Sequence, residues 1–161
     1  MAVLILTTAS ASGVDERRLS FYHTHTGERL DVVYARNGTY LDPALDSIEA
    51  FLSDFRTGDT RTIDPALLDL IYDVREALGG RGTYEVISAY RSPVTNEMLH
   101  NNSNGVAKDS QHVLGKAIDV RLTSVETERL RDAAIAMQRG GVGYYAASNF
   151  VHIDTGRVRR W

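Results

Sequence analysis

Two histidines and one aspartate occur in contexts that favour metal binding. His112 precedes a short alternating segment, and Asp119 lies seven residues later on the polar side of that segment. His152 lies near the end of the sequence, between the apolar Val151 and Ile153. Two imidazoles and one carboxylate are a sufficient ligand set for a catalytic zinc, whose fourth position is left for water. The spacing therefore indicates a metal site if the fold brings both segments to one cleft.

Spacing alone does not decide the chemistry, because a histidine and an aspartate a few positions apart occur by chance in many chains. From spacing alone we favour the alternative, in which one histidine is buried in the core and the other polar groups lie on the surface. His23 and His25 could also bind a metal, although we favour partly exposed side chains of a hairpin for this pair. Ser110, His112 and Asp119 could form a serine hydrolase triad, but no G-x-S-x-G turn surrounds the serine.

The composition limits the class of protein. The sequence has 161 residues, 43% hydrophobic and 24% charged, as expected for one ordinary globular domain. Its formal net charge of -3 disfavours nucleic acid as the main partner, because there is no overall positive field. The sequence has no cysteine, so a metal must be held by histidine, aspartate or glutamate. No stretch reaches the roughly 18 apolar residues that a membrane-spanning helix needs.

The N-terminal segment has features of an export signal. Residues 1–11 (MAVLILTTASA) contain a short apolar run, and the final A-S-A has the small-x-small pattern of a signal-peptidase site. The apolar run is shorter than usual and no Lys or Arg precedes it, so a plain first strand is the alternative. We expect residues 1–17 to be a signal remnant or a disordered N-terminus, and residues 18–161 to form a single domain.

The elements that must position the candidate ligands are two predicted strands. Residues 117–122 (AIDVRL) alternate, which places Asp119 opposite the apolar face of the strand. Residues 149–154 (NFVHID) alternate too, which places His152 and Asp154 on one face. Two strands from distant parts of the chain could therefore present these side chains to one cleft.

The N-terminal part of the domain predicts a hairpin followed by two helices. Apolar residues alternate on both sides of a turn at residues 26–28. Asp42 and Asp64 are each followed by proline, which predicts helix starts with aspartate as the N-cap and proline at the first helical position. The two glycines at residues 79–80 end the second helix.

Further segments complete a domain of mixed helices and strands. These are a strand over residues 85–90 that ends next to Arg91, a helix that begins at Ser92-Pro93, a loop over residues 101–108, and a helix over residues 124–138. Thr123 and Glu126 are spaced as a capping box for the last helix, and the glycines at residues 140–143 end it. The pattern predicts an α+β fold with a small, mostly antiparallel sheet flanked by helices.

Longer motifs resemble a known superfamily of zinc peptidases. Residues 110–119 form an S-x-H-x-x-G-x-A-x-D motif that matches the signature of the D-Ala-D-Ala peptidase and hedgehog-type fold. Residues 87–96 (ISAYRSPVTN), 105–112 (GVAKDSQH) and 140–161 (GGVGYYAASNFVHIDTGRVRRW) resemble the YcbK-type murein endopeptidases, the murein endopeptidase K family. The resemblance extends from about residue 18 to residue 161, with several motifs in the same order.

The resemblance implies an exported zinc peptidase of the bacterial cell envelope or periplasm. Its substrate would be peptidoglycan peptides, and known members of the family cut cross-links between two meso-diaminopimelate residues. The resemblance implies that His112, Asp119 and His152 hold Zn²⁺. We assign catalytic roles to Arg91 and Asp154, and we expect the substrate to be bound by Arg91, Ser110, Tyr90 and Asn149. A set of two histidines and one aspartate could also accept manganese, cobalt or iron.

One residue departs from the wider superfamily, where a Glu or Asp three residues before the last histidine ligand takes a proton from the zinc water. That position is Asn149 here, and an amide cannot act as a base. The YcbK-type motif also carries asparagine there, which indicates a subgroup trait. Asp154 is the substitute candidate, either as the base or, in the role that we favour, as a carboxylate that orients an imidazole.

Three functions stay open at this point. An endopeptidase needs a cleft open at both ends, whereas a carboxypeptidase needs one closed behind Arg91, which could bind a substrate carboxylate or the oxyanion. A surface salt bridge is the alternative for Arg91. A zinc-containing wall-binding module without turnover is favoured by Asn149. We favour catalysis, because Arg91 and the ligand triad occur together.

The basic residues 157–160 are expected to be an exposed end, and no oligomeric state is predicted.

Overall fold

The computed structural model describes residues 14–102 and 106–161, so the predicted signal remnant over residues 1–11 lies outside the described residues. Within that part the chain is an α+β domain with four α-helices and an eight-stranded sheet. The strands are β1 (Glu16–His23), β2 (Arg29–Arg36), β3 (Thr39–Tyr40), β4 (Tyr84–Ser88), β5 (Ala117–Leu122), β6 (Gly141–Tyr145), β7 (Phe150–Asp154) and β8 (Arg159–Arg160). The helices are α1 (Asp42–Phe51), α2 (Pro65–Ala77), α3 (Pro93–Asn102) and α4 (Thr127–Met137).

The sheet is mostly antiparallel, as predicted. Its strand order is β3-β2-β1-β4-β5-β7-β6-β8, in which β1 pairs with β4 and β6 pairs with β8 in parallel. The other neighbouring pairs are antiparallel. The α+β class is confirmed, although the sheet is larger than the small sheet expected from sequence.

The predicted hairpin and the first two helices are present, with one difference at a helix start. Asp64 caps α2 as predicted, because its side chain accepts a hydrogen bond from the Ala66 amide. Helix α1 begins at Asp42 itself, and its N-cap is Leu41. Leu41 is extended and its amide donates to the Tyr34 carbonyl, so it continues the strand geometry. Asp42 therefore lies in the first turn, where a negative charge is favourable.

Two predicted boundaries in the middle of the chain differ from the structure. Helix α3 begins after Ser92 as expected but continues through Asn102, so the first two residues of the predicted loop are helical. Helix α4 begins at Thr127, later than predicted, and the Thr123–Glu126 capping box is not formed. The Thr123 hydroxyl instead accepts a hydrogen bond from the Thr83 amide, which ties the end of β5 to the start of β4.

The C-terminal segment contains two strands that the sequence did not predict. Two of the glycines predicted to end α4, Gly141 and Gly143, belong to β6. The end of the predicted basic tail, residues 159–160, forms β8 beside it. A Cβ added at Gly141 would overlap the guanidinium of Arg159 and lie 2.6 Å from an oxygen of Asp154. Glycine is needed at this position because side chains of two neighbouring segments pack onto the strand backbone.

The core lies between the sheet and the helices that cover it, and its largest fully buried side chains include Tyr34, Tyr84 and Phe21. Strands β5 and β7 run through its centre and are buried along most of their length. None of the helices in residues 14–102 and 106–161 has the length and apolar character needed to cross a membrane. Asp119 and His152 are therefore held by two strands that are buried along most of their length.

Candidate metal centre

The structure brings together the three residues predicted to hold a metal. His112 lies in a 3-10 turn (Gln111–Leu114) just before β5, Asp119 lies in β5, and His152 lies opposite Asp119 in β7. His112 Nε2 is 3.2 Å from Asp119 Oδ1 and 3.2 Å from His152 Nδ1. His152 Nδ1 is 2.9 Å from Asp119 Oδ1. All three residues are buried, and the group could hold a metal ion.

The turn that carries His112 is fixed at both ends. Ser110 is its N-cap, and its hydroxyl accepts a hydrogen bond from the His112 amide at 3.3 Å. Gly115 ends the turn in the left-handed conformation, where an added Cβ would overlap the Thr62 carbonyl oxygen. The Ser110 hydroxyl oxygen thus caps the turn that carries His112, as in a helix N-cap.

Each of the three candidate ligands is also held by its other polar atom. His112 Nδ1 lies 2.6 Å from the Ala89 carbonyl oxygen. Asp119 Oδ2 accepts a hydrogen bond from Arg91 Nη2 at 2.8 Å. His152 Nε2 lies 2.8 Å from Asp154 Oδ2. Such partners behind the ligands fix the tautomer and the ring orientation, as they do in established metal sites.

Arg91 forms a buried ion pair rather than the surface salt bridge considered from sequence. Its side chain is 11% exposed, and that of Asp119 is 7% exposed. Arg91 Nε donates to the Ser88 hydroxyl at 3.0 Å, so the guanidinium is held from two directions. Arg91 lies three residues after Ser88, where β4 ends, because the strand stops two residues earlier than predicted.

Asp154 is fully buried behind His152. It accepts hydrogen bonds from the amides of Gly141 and Gly156, at 3.1 and 2.8 Å. Arg159 donates to both of its oxygens, from Nη2 to Oδ2 at 2.7 Å and from Nη1 to Oδ1 at 3.1 Å. Both oxygens are thus occupied, and the carboxylate orients the imidazole of His152.

The buried charges shift the pKa values of these groups in different directions. Burial lowers the pKa of His112 despite the nearby Asp119 carboxylate. Burial also opposes the charge on His152, but its hydrogen bonds to Asp119 and Asp154 outweigh this and raise its pKa. Burial opposes the charge on Asp119, but the two nearby histidines outweigh it and hold the Asp119 pKa below its usual range. Burial also opposes the charge on Asp154, but the hydrogen bonds from His152 and Arg159 hold the Asp154 pKa below its usual range. Both carboxyl groups are therefore ionised.

The cluster opens on a cavity of about 390 Å³. His112, Asp119, His152 and Arg91 contribute to its lining, together with Ser110. A larger cavity of about 520 Å³ lies beside α3, but His112, Asp119 and His152 do not line it. The smaller cavity is the functional candidate, because convergent polar groups and shifted pKa values identify a site better than volume does.

Two residues predicted to bind substrate lie elsewhere. Tyr90 is 7% exposed and packs in the core. Asn149 ends a 3-10 turn in the left-handed conformation, which asparagine tolerates well, and its Oδ1 accepts a hydrogen bond from the Thr127 hydroxyl at 2.6 Å. Neither residue is part of the lining of the cavity. In this structure the side chains of Tyr90 and Asn149 therefore face the core and the start of α4, respectively.

Sequence reasoning missed Arg159 and Trp161, which both line the cavity. The Trp161 ring centroid lies 5.2 Å from that of His152. The sequence feature that could have indicated them is the pair of glycines at residues 141 and 143. Both point to the same face of β6, where Arg159 and Trp161 pack closely against the strand.

Comparison with known proteins agrees with the resemblance inferred from sequence. A family model described as peptidoglycan L,D-endopeptidase MepK (Peptidase_M15_2) matches residues 11–161. Proteins named peptidoglycan L,D-endopeptidase MepK from Escherichia coli K12 and from Shigella flexneri are 40% identical over 153 residues, which cover 95% of this chain and 84% of theirs. A protein of Haemophilus influenzae named as a probable enzyme of this kind is 40% identical over 154 residues, 95% of this chain and 83% of its own. The chain therefore belongs to the MepK family of peptidases.

Proposed function

We propose that this protein is a zinc peptidase that hydrolyses an amide bond in peptidoglycan cross-links, as an L,D-endopeptidase acting between two diaminopimelate residues. The observation that carries the proposal is the convergence of His112 Nε2, Asp119 Oδ1 and His152 Nδ1 at one cavity. The names of the similar proteins support the same reaction and favour an endopeptidase over a carboxypeptidase or a non-catalytic binding module.

The proton positions around the cluster favour a bound cation. A carbonyl oxygen only accepts hydrogen bonds, so His112 Nδ1 carries the proton shared with Ala89 and Nε2 has a lone pair. The ionised Asp154 likewise places a proton on His152 Nε2 and a lone pair on Nδ1. With both histidines in these neutral tautomers, three lone-pair atoms face one another. In the metal-free protein the raised pKa of His152 favours a proton between its Nδ1 and Asp119 Oδ1. One proton bridges only two of them, whereas a divalent cation contacts all three.

The donor set and its spacing suit zinc. Tetrahedral zinc with bonds of about 2.0–2.2 Å separates neighbouring ligand atoms by about 3.3–3.6 Å. The cluster has separations of 2.9 to 3.2 Å, so small shifts bring the three atoms to that geometry. When bound, zinc polarises a carbonyl group and lowers the pKa of a water molecule toward about 7.

The surrounding residues hold the ligands and supply charge. Arg91 fixes the second oxygen of Asp119, and its guanidinium has five N–H donors, so donors beyond these internal bonds are available to a substrate carboxylate or carbonyl oxygen. Asp154 holds the His152 ring and is too buried to meet substrate, so we assign it a positioning role and not that of the base. Ser110 lines the cavity and can bond a substrate carboxylate.

We also propose an envelope location and a fold of the hedgehog and D-Ala-D-Ala peptidase type. Peptidoglycan lies outside the cytoplasmic membrane, so the enzyme must be exported to reach it. The order of the candidate ligands along the chain supports this fold. One histidine comes just before a strand, the aspartate lies in that strand, and the second histidine lies in a later strand. Cell fractionation with sequencing of the mature N-terminus tests the location, and a crystal structure tests the fold.

The function is tested by digesting purified peptidoglycan and identifying the released muropeptides by mass spectrometry. Cross-linked dimers joined through two diaminopimelate residues should disappear with the zinc-loaded protein and persist with a chelator. His112→Ala should be inactive and free of zinc. His25→Ala is the matched control, because His25 is exposed in the β1–β2 turn, and it should remain fully active.

The other results each exclude the proposal in a different way. Loss of terminal residues without loss of dimers identifies a carboxypeptidase. Zinc binding and wall affinity without any hydrolysis identify a binding module. Hydrolysis that survives both the chelator and His112→Ala places the chemistry outside this cluster.

A further inference from the structure

A strip of aromatic side chains borders the candidate metal centre. Trp161, Tyr145 and Phe150, which we call the aromatic wall, all line the cavity that holds His152. Trp161 is 51% exposed, although its ring lies only 5.2 Å from the His152 ring. A single exposed apolar residue is ordinary, but an apolar patch of three rings beside convergent polar groups indicates a surface that a ligand covers.

The Trp161 backbone and indole are held in place before any ligand binds. The Trp161 amide donates to the Val142 carbonyl at 3.2 Å, and the Trp161 carbonyl accepts from the Tyr144 amide at 3.0 Å. The indole Nε1 donates to the Tyr145 hydroxyl at 3.0 Å. A surface fixed in this way loses little conformational entropy when a ligand packs on it.

The neighbouring strand leaves space for the ring. Gly143 lies in β6 directly beneath Trp161, and an added Cβ would lie 2.5 Å from a carbon of the indole. The guanidinium of Arg159 lies 4.9 Å from the ring centroid while it also holds Asp154. The same residues therefore position the Trp161 ring and support the ligand His152.

The wall continues beyond Trp161. Tyr145 and Phe150 stack with ring centroids 4.6 Å apart and planes at 16°. Phe150 is in β7 two residues before His152, and it pairs with Tyr145 of β6, so the stacked pair lies next to the strand that carries a candidate ligand. Aromatic faces of this kind pack well against methylene groups, and they add little directional hydrogen bonding of their own.

We propose that the aromatic wall is a substrate subsite that packs against the methylene side chain of the diamino acid next to the scissile amide. This inference rests on the proposed function, because the peptide must place its amide at the His112–Asp119–His152 cluster. The three methylenes of a diaminopimelate side chain then extend over the short distance from that cluster to Trp161. The wall would thus contribute to the choice of substrate and not to the chemical step.

The sequence contains a single tryptophan, so Trp161 fluorescence reports on this surface alone. The zinc-free protein is titrated with a synthetic cross-link peptide containing two diaminopimelate residues. A matched peptide carries alanine in place of the diamino acid next to the amide, and a muramyl disaccharide without peptide is the third probe. Calorimetry on the same samples measures binding independently. If the wall binds the diamino acid, Trp161 fluorescence should change saturably with the first peptide, and the Kd of that peptide should be at least about fivefold lower than that of the second.

Kinetics of two variants give a second, independent result. Trp161→Ala should raise KM by about 5- to 30-fold and leave kcat within about threefold, because uniform binding is lost. Trp161→Phe keeps an aromatic face and should stay within about threefold in both constants. Val158→Ala is the control, because Val158 is exposed on the same segment but does not line this cavity. Zinc content is measured for each variant to show that the metal centre is intact.

The outcomes separate this inference from the proposed function. The subsite is overturned, and the peptidase is left intact, if the peptide is hydrolysed and calorimetry detects its binding but Trp161 fluorescence does not change. An unchanged KM in Trp161→Ala has the same meaning. Saturable, side-chain-dependent fluorescence without hydrolysis supports the subsite and refutes catalysis. A response to the disaccharide but not to the peptide assigns the wall to the glycan and overturns the inference. If Trp161→Ala does not fold, the titration and Trp161→Phe decide the question.

Discussion

The protein contains two pairs of histidines whose rings lie close together, and the lone pairs of their ring nitrogens face different groups. The His23 and His25 rings lie 6.0 Å apart, and those of His112 and His152 lie 5.0 Å apart. The His23 Nδ1 accepts hydrogen bonds from the backbone amides of His25 and Thr26, so its lone pair serves to close the β1–β2 turn. At the other pair, the lone pairs face one another and a carboxylate oxygen.

The partners around each pair explain this difference. His23 is buried, contrary to the partly exposed hairpin side chain expected from sequence, and its ring packs against Phe51 and Phe55 at 5.9 and 5.5 Å. Its neighbour His25 stacks on Phe55 at 4.2 Å. His112 instead has a backbone carbonyl behind it, which directs its second nitrogen to the cluster. Two close histidines therefore form a candidate metal site only where acceptors behind them turn their lone pairs inward.

The largest expected effect comes from Asp119→Asn, which removes the one charged ligand while keeping its shape. We expect loss of bound zinc and a fall in activity of at least about 1000-fold, because the amide no longer offsets the charge of a divalent cation. Zinc content by mass spectrometry and dimer hydrolysis measure both effects. Asp132→Asn, at an exposed position on α4, is the control and should match the wild type. Full zinc occupancy in Asp119→Asn would exclude Asp119 as a ligand.

His23→Ala should show the opposite behaviour. The change leaves a cavity among Phe51, Phe55 and the β1–β2 turn, and we expect the free energy of unfolding to fall by about 2–4 kcal/mol. Zinc stoichiometry and activity per folded molecule should stay at wild-type values. Urea denaturation of the zinc-free protein measures the first quantity, and zinc content measures the second. Loss of one zinc per molecule in this variant would contradict the distinction drawn between the two pairs.

Asp154→Asn tests how strongly the residue behind a ligand controls it. The variant keeps an acceptor for His152 but leaves Arg159 without its charged partner, so we expect zinc affinity to fall by about 10- to 100-fold. Competition with a chelator measures the Kd. Activity at saturating zinc should recover most of the loss, as expected for a positioning residue. A loss of activity that persists at full zinc occupancy would instead indicate a direct role of Asp154 in catalysis.

Local periodicity was enough to predict the strands that carry the candidate ligands Asp119 and His152. Strand β5 has the predicted limits, and β7 differs from the prediction by one residue at its start. The alternation of buried and polar residues is a property of a few neighbouring residues, so it can be read without knowing the rest of the fold. The ligand cluster followed from it once the two strands were paired.

The C-terminal strands and the wall could not be predicted in this way. Gly141 and Gly143 have the local pattern of a turn, and only the packing of Arg159 and Trp161 makes them part of a strand. That contact joins segments separated along the chain, so tertiary packing overrides the local preference. The Thr123–Glu126 capping box failed for the same reason, because Thr123 bonds the distant Thr83.

The smallest effect is expected for Asn149→Asp, which restores the acidic residue of the wider superfamily at this position. In this structure the side chain bonds Thr127 at the start of α4 and is not part of the cavity lining. Aspartate can accept the same hydrogen bond, and its charge is favourable near a helix N-terminus. We expect kcat within about twofold of the wild type and a stability change within about 0.5 kcal/mol. Steady-state hydrolysis of a cross-link peptide and urea denaturation check both values, with Asn37→Asp, at another asparagine of positive φ, as the control. A kcat increase of tenfold or more would show that this residue reaches the reacting atoms and that its bond to Thr127 is broken in the working enzyme.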